Sequence, residues 1–399
     1  VKSWKIDKYI QTYNSQLTSQ NLKYQFNMLP LNIRPRRNRS SSWIRNLVAQ
    51  NSLSPNDLIM PFFVIDGVNK KEPIKSLPDQ YRFSIDLLIK EIQKAKDLGI
   101  PAIMLFPATD PKLKTENGVE ALNSDNLICR AVRQIKKQVT EIGIICDVAL
   151  DPYTSHGHDG LLGADGHALN DQTIEILCQQ AVIQAEAGCD MVAPSDMMDG
   201  RIGEIRKYLD LNGFQRVGII SYAAKYASGF YGAFRDAVGS GGNLALQTES
   251  EKNLETPENH DWKPENQQNL SDQKFVPHGA RLSLLKIHDS PKSNYQMDFR
   301  NSSEAIKEIN LDVAEGADML IIKPGMPYLD IVVKAKEACN LPIISYQVST
   351  EYAMLKLADR EGLIDFKEGL YESLMAFKRA GATAIISYGA MEIANEYYS

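Results

Sequence analysis

The feature that most constrains this chain is a repeat. Short apolar runs alternate with amphipathic segments from about residue 58 to residue 388. Strands are expected near Leu58–Val64, Ala102–Phe106, Gly143–Leu150, Met191–Pro194, Val217–Tyr222, Met319–Lys323, Pro342–Tyr346 and Ala384–Tyr388. The runs are rich in Ile and Val, as strands covered on both faces should be. Between them lie helical patterns at Ile85–Leu98, Asn126–Glu141, Thr173–Ala187, Ser303–Glu315, Leu329–Ala338 and Asp365–Ala380. Gly99, Gly188, Gly316 and Gly381 stand where four of these helices should close, each just before the next strand. Eight strands alternating with helices predict an α/β fold, a (β/α)8 barrel in preference to an open doubly wound sheet. With 399 residues, the chain is long enough for one barrel of roughly 250 residues plus extensions.

Two regions break the rhythm, and they set the expected organisation: an N-terminal arm over 1–50, and a catalytic barrel over 51–399 interrupted by a lid insertion at 241–290. The arm carries Arg34, Arg36, Arg37, Arg39 and Arg45. A solvated tail and a segment that docks on a neighbouring subunit both fit that composition, and the first 27 residues look dispensable to the fold. Within the insertion, Gln247–Lys274 is crowded with Asn, Gln, Glu, Ser and Pro. It has too little to bury to offset the entropy of ordering, which predicts disorder, while Leu282–Ile287 is apolar enough to dock locally. Loop closure penalties grow only logarithmically with length, so deleting Leu246–Lys274 is expected to preserve folding and turnover, while the two ends of the insertion must still converge over the site.

A net charge of −6 argues against non-specific nucleic-acid binding. No apolar run approaches the roughly 20 residues of a membrane span, and no secretory leader is expected. Five scattered cysteines without a C-x-x-C pair suggest reduced thiols and a cytoplasmic home.

Polar residues gather at one end of the expected strands. Asp151 follows the third, Asp196 and Asp199 the fourth, and Lys225 the fifth. Lys323 ends the sixth, Ser349 follows the seventh and Tyr388 ends the eighth. C-terminal strand ends form the catalytic face of such barrels, and a merely structural charge should not choose that rim every time. The two lysines bear most on function. A free lysine is about 0.1% neutral at pH 7, and lowering its pKa by roughly three units costs on the order of 4 kcal/mol. Desolvation and a second cation nearby could supply that, leaving amines able to form imines with carbonyl substrates. Salt-bridged structural lysines are the alternative. Arg235 offers a fork for a substrate carboxylate, or else a surface pair with Asp236. The loop from Asp151 through His156, His158 and Asp159 to Asp165 and His167 matches no standard zinc spacing. A hydrogen-bonded loop whose histidines orient other groups accounts for it better.

Taken together, Tyr153-Thr-Ser-His-Gly-His158, Ala193-Pro-Ser-Asp-Met-Met-Asp-Gly-Arg201, Ser221-Tyr-Ala-Ala-Lys-Tyr-Ala-Ser-Gly-Phe-Tyr-Gly232, Tyr295-Gln-Met-Asp298 and Lys323-Pro-Gly-Met-Pro-Tyr-Leu-Asp330 resemble the porphobilinogen synthases, or δ-aminolevulinic acid dehydratases. The resemblance runs from about Arg34 to Tyr388. It implies condensation of two molecules of 5-aminolevulinate into porphobilinogen with loss of two waters, on the route to haem and other tetrapyrroles. It implies an imine on Lys323 to the propionate-side substrate, with Lys225 holding the acetate-side one. Ser349 and Tyr388 fall at the positions for the first carboxylate, Arg235 and Lys292 at those for the second. Where zinc-type members carry three cysteines this chain has Ala149, Asp151 and Asp159, so no active-site zinc is implied. Glu308 falls at the position of an allosteric Mg²⁺ ligand, an ordinary solvated carboxylate being the alternative, and a homo-octamer with embracing arms is the implied assembly. Two rival functions stand beside this one: a class I aldolase-like barrel, which needs one imine lysine, and an inactive scaffold that keeps only the oligomer.

Overall fold

A computed structural model of the chain describes residues 32–239 and 291–397. The expected disorder of the insertion, the docking of Leu282–Ile287 and the dispensable first 27 residues all concern positions outside the described residues. Residues 32–50 belong to a unit separate from Asn51–Ser399. In that segment a 3-10 turn at Pro35–Arg39 precedes a short helix, α1 (Ser42–Leu47), and neither buries a residue.

The second unit is built on eight parallel strands: β1 (Leu58–Val64), β4 (Ala102–Pro107), β5 (Gly143–Val148), β6 (Met191–Pro194), β7 (Gly218–Lys225), β8 (Met319–Lys323), β9 (Ile343–Tyr346) and β10 (Ala384–Ile386). Each pairs with the next, and Leu58 and Ile59 of β1 pair with Ile385 and Ile386 of β10, which closes the barrel. All seven residues of β1 are buried, as a strand sandwiched between the barrel interior and a helical layer requires.

Amphipathic spacing explains the outer layer. In α2 (Ile85–Asp97) Leu88, Ile92 and Ala95 share one face and are buried. In α3 (Leu127–Gln138) the buried stripe is Leu127, Ile128, Ala131, Val132 and Ile135, and the Asn126 side chain caps the helix by accepting from the Cys129 amide. Then come α4 (Asn170–Ala187), α5 (Arg201–Leu211), α6 (Gly232–Val238), α7 (Ser303–Ala314), α8 (Leu329–Ala338), α9 (Ser349–Arg360), α10 (Phe366–Ala380) and α11 (Ala390–Glu396). Gly188 and Gly381 close α4 and α10 at φ of 105° and 109°, a left-handed conformation that penalises any Cβ.

Three differences from the sequence expectation matter. Strand β5 stops at Val148 rather than Leu150, because the chain folds back there and the Leu150 amide donates to the Asp159 carbonyl at 3.1 Å. Strand β7 does not stop at Tyr222 but continues through Lys225. A hairpin, β2 (Lys71–Pro73) with β3 (Tyr81–Phe83), adds to the C-terminal end of β1. Its Arg82 donates to the carbonyls of Ala237, at 2.6 Å, and Asp236, so the hairpin braces the helix that bears Arg235.

Candidate active site

At the C-terminal rim, Lys225 and Lys323 are register partners on adjacent strands. They face the same way because of an irregularity in the ladder. Ile220 and Ser221 pair with Met319 and Leu320, whereas Ala224 and Lys225 pair with Ile322 and Lys323, so β7 carries one extra residue. Side chains alternate along a strand, and Ser221 points outward to Asp312 on α7. In regular alternation Lys225, four residues on, would point outward too. The bulge reverses it into the cavity. That cavity is lined by Phe106, Asp147, Asp151, Asp159, Ser195, Lys225, Tyr231, Phe234, Arg235, Lys292, Gln296 and Lys323.

The two ammonium positions are treated differently. Lys225 Nζ donates to the Ser195 carbonyl and lies 3.3 Å from Asp159 Oδ1. Burial works against its charge, but Asp159, Asp151 and Asp147 outweigh burial and raise its pKa above the usual lysine value. Lys323 has no carboxylate in ion-pair contact among the described residues. It sits among aromatic rings, 4.6 Å from the centroids of Phe234 and Tyr346 and 5.3 Å from those of Tyr222 and Tyr231. Burial, then the Lys225 charge, lowers its pKa to about 7. One lysine is thus held as a cation while the other is poised to be a free amine.

Asp159 is the hub. Its second oxygen accepts from Lys292 Nζ at 3.3 Å and from Gln296 Nε2 at 3.4 Å. Burial pushes its carboxyl up, yet Lys225 and Lys292 together hold it well below the usual carboxylate range. The loop that brings it here is internally hydrogen-bonded. His156 Nε2 lies 3.0 Å from the Glu116 carbonyl, the His158 amide donates to His156 Nδ1, and Tyr295 Oη lies 3.3 Å from His158 Nδ1. Burial lowers the His158 pKa to about 4, so it serves as a neutral ring at physiological pH. Among the described residues no group of three or more His, Cys, Asp or Glu side chains is placed to hold a metal ion.

Of the residues nominated by sequence, Lys225, Lys323, Asp151, Asp159, Arg235 and Lys292 meet in this one cavity. Arg235 does not pair with Asp236, whose carboxylate instead accepts from Ser76 Oγ at 2.6 Å and lies 3.7 Å from Arg82. Ser349 and Tyr388 are buried and are not among the residues that line this cavity. Tyr388 Oη is 3.3 Å from Tyr346 Oη, and Ser349 Oγ is buried without a hydrogen-bond partner among the described residues. Such an orphan polar atom is costly unless a ligand satisfies it. Glu351 fixes the turn after Lys323 by accepting from the Gly325, Met326 and Val348 amides.

Two nominated carboxylates go elsewhere. Asp196 and Glu308 converge on the buried Arg201, whose guanidinium lies 3.6 Å from Asp196 Oδ2 and donates to Glu308 Oε1 at 3.1 Å. Asp196 does not line the cavity, and Glu308 is a paired, largely covered carboxylate rather than a freely solvated one. Sequence reading missed Asp147, whose pKa burial and Asp151 raise to about 7. Its signal was a charge inside the apolar run Ile144-Ile-Cys-Asp-Val148. It also missed Ser195 and Gln296, for which no spacing rule exists, and the aromatic cage, whose members come from four segments of the chain.

Residues 32–266 and 280–396 match the profile of the delta-aminolevulinic acid dehydratase family. A delta-aminolevulinic acid dehydratase of Bradyrhizobium diazoefficiens is 48% identical over 368 residues, 92% of each chain. One of Chlamydia pneumoniae is 42% identical over 362 residues, 91% of this chain and 95% of that one. The crystal structure of the Toxoplasma gondii enzyme, solved in complex with its reaction product porphobilinogen, superposes with a TM-score of 0.78 at 41% identity, covering 92% of both chains. Sequence along nearly the whole barrel and backbone in three dimensions therefore agree, and the chain belongs to the delta-aminolevulinic acid dehydratase family.

Proposed function

We propose that this chain is a porphobilinogen synthase, a hydro-lyase that condenses two molecules of 5-aminolevulinate into porphobilinogen with release of two waters. The observation that carries this is the register pairing of Lys225 and Lys323 in one cavity with opposite protonation preferences. Lys323, whose proton leaves near neutrality, attacks the ketone of the first substrate. Its nitrogen replaces the carbonyl oxygen, which departs as water, and the resulting imine acts as an electron sink for the adjacent carbon. Lys225 engages the second substrate, and its ammonium must lose a proton before it can form an imine of its own. Asp147, with a pKa raised to about 7 by burial and Asp151, is a carboxyl in this cavity able to exchange protons at neutral pH. Ser349 and Tyr388 take the first carboxylate, Arg235 and Lys292 the second.

Arg235→Ala should therefore raise KM for 5-aminolevulinate by about 10- to 100-fold, the value of one charge-assisted hydrogen bond at roughly 1.5–3 kcal/mol. The fold of the variant, read by circular dichroism, should not change. Initial-rate kinetics over a substrate series checks this.

The donor set at the loop, Ala149, Asp151 and Asp159, does not fit zinc: it offers no thiolate, and both Asp159 oxygens already accept from lysines. Glu308 fits a regulatory Mg²⁺ better. Arg201 occupies one of its oxygens, and Mg²⁺ commonly uses one or two carboxylates with water completing its shell. No step of the condensation is routed through that ion. The short arm helix, with Trp43 66% and Leu47 76% exposed, suits docking on another copy in a homo-octamer. Five free cysteines suit a cytoplasmic home, and among the described residues no helix is long and apolar enough to cross a membrane.

The deciding experiment is porphobilinogen formation from 5-aminolevulinate, with and without chelator and added Mg²⁺. Borohydride trapping of the substrate imine should accompany it. Trapping at Lys323 without porphobilinogen would favour an aldolase-like barrel, and neither trapping nor product would favour a scaffold.

A further inference from the structure

Arg201 has no atom lining the cavity, yet its side chain is fully buried and touches both segments that frame Lys225. We propose that Arg201 is a positioning residue for Lys225, its guanidinium holding the bulge of β7 in the shape that turns the lysine inward.

On the strand side, Arg201 Nη2 donates to the Tyr222 carbonyl at 3.1 Å and lies 3.5 Å from Ser221 Oγ. These two residues stand at the start of the irregularity, where an extra residue disrupts the ladder and leaves backbone groups in need of partners. Ser221 Oγ in turn donates to Asp312, which also lies 3.5 Å from Arg201 Nη1. The outward residue is thus tied to α7, and the reversal of facing is completed within the next four residues.

On the other side, Arg201 Nη1 donates to the Met198 carbonyl at 3.2 Å. The turn it holds is strained, with Met197 at φ 71°, a conformation that costs a Cβ-bearing residue of order 1–3 kcal/mol. Asp196 helps by accepting from the Met198 amide at 2.8 Å. The residue just before this turn is Ser195, whose carbonyl accepts from the Lys225 ammonium. One planar cation therefore fixes both the strand that carries Lys225 and the carbonyl that receives it. Lysine cannot replace it, because a single ammonium lacks the fork that spans Tyr222 on one side and Met198 with Glu308 on the other.

The consequence reaches Lys323. The groups acting on Lys323 are Lys225, Asp147, Asp151 and Asp159, and of these Lys225 is the cation that lowers its pKa. If Lys225 turns out of the cavity, Lys323 must titrate at higher pH.

Competitive labelling of the full chain with acetic anhydride across pH 5–10, followed by peptide mass mapping, reads the midpoint of each lysine without substrate. It tests the positioning role even if the chain proves not to make porphobilinogen, because turnover does not enter the measurement. Arg201→Lys should move the Lys323 midpoint up by at least about half a pH unit, a roughly twofold loss of labelling at pH 7. Ser221→Ala, which removes one anchor and no charge, should move it in the same direction by less. A purely structural arginine would lower the melting temperature and leave the midpoint where it was. A folded Arg201→Lys protein with an unshifted midpoint would overturn the proposal. Should Arg201→Lys not fold, Ser221→Ala decides in the same way: an upward shift supports it, and an unchanged midpoint overturns it.

Discussion

Lys323→Ala should lose turnover by on the order of 10⁴-fold or more, because no other amine among the described lining residues has its pKa lowered to near neutrality. Lys225 is a poor substitute. It lies beside Lys323 in register but is held as an ammonium by Asp159, Asp151 and Asp147. The pH dependence follows from the sign of the shift. The Lys323 pKa is lowered to about 7, so the amine is mostly free above that pH and its free fraction falls about tenfold per unit below it. Imine formation in the native enzyme should therefore decline on the acid side of pH 7. Single-turnover borohydride trapping between pH 5 and 9, with peptide mapping, checks both statements. A trapping profile flat down to pH 5, or substantial product from the alanine variant, would refute the assignment of Lys323 as first nucleophile.

Asp159→Asn should be the most damaging change that leaves both lysines in place. The carboxylate is 1% exposed and accepts from Lys225 and Lys292 at 3.3 Å each. Removing one member of a buried ion pair costs about 3–5 kcal/mol, because the remaining charge keeps its desolvation penalty and loses its compensation. Here two cations are stranded by one substitution. If about 3–4 kcal/mol of that appears in positioning, kcat/KM drops by roughly 10²–10³-fold. Lys225 would also lose the strongest influence raising its pKa, so it should become easier to deprotonate. Steady-state kinetics with labelling of Lys225 reads both effects. An asparagine variant with near-native kcat/KM would show that Asp159 is not the hub this geometry implies.

Apolar periodicity made the barrel readable. Runs such as Leu58–Val64 and Met319–Lys323 satisfy the need of a parallel strand to be buried on both faces, and no open sheet accounts as simply for eight of them alternating with helices. The rim was readable for the same reason: a charged or polar residue at the end of an apolar run stands out, as Lys225, Lys323 and Asp151 did. Helix α5 was harder. Its first residue, Arg201, is fully buried, so the pattern does not present a clean apolar stripe. The hairpin β2–β3 was not readable because its strands are three residues each and β2 is wholly exposed.

The sequence by itself determined the strand order, the rim on which chemistry gathers and the chemical types available there, since these follow from local periodicity and from which residues follow which strands. Only the tertiary structure decided which way each side chain faces and which charges compensate one another. Lys225 points into the cavity through one extra residue in β7, an event of pairing between strands that leaves no trace in local periodicity. Lys323 has a pKa near 7 because rings from β7, α6, β9 and the turn between β7 and α6 exclude water around it, while Lys225 stays charged through an aspartate 66 residues away in sequence. Desolvation and Coulomb interaction depend on distance in space, and space is set only when the barrel closes.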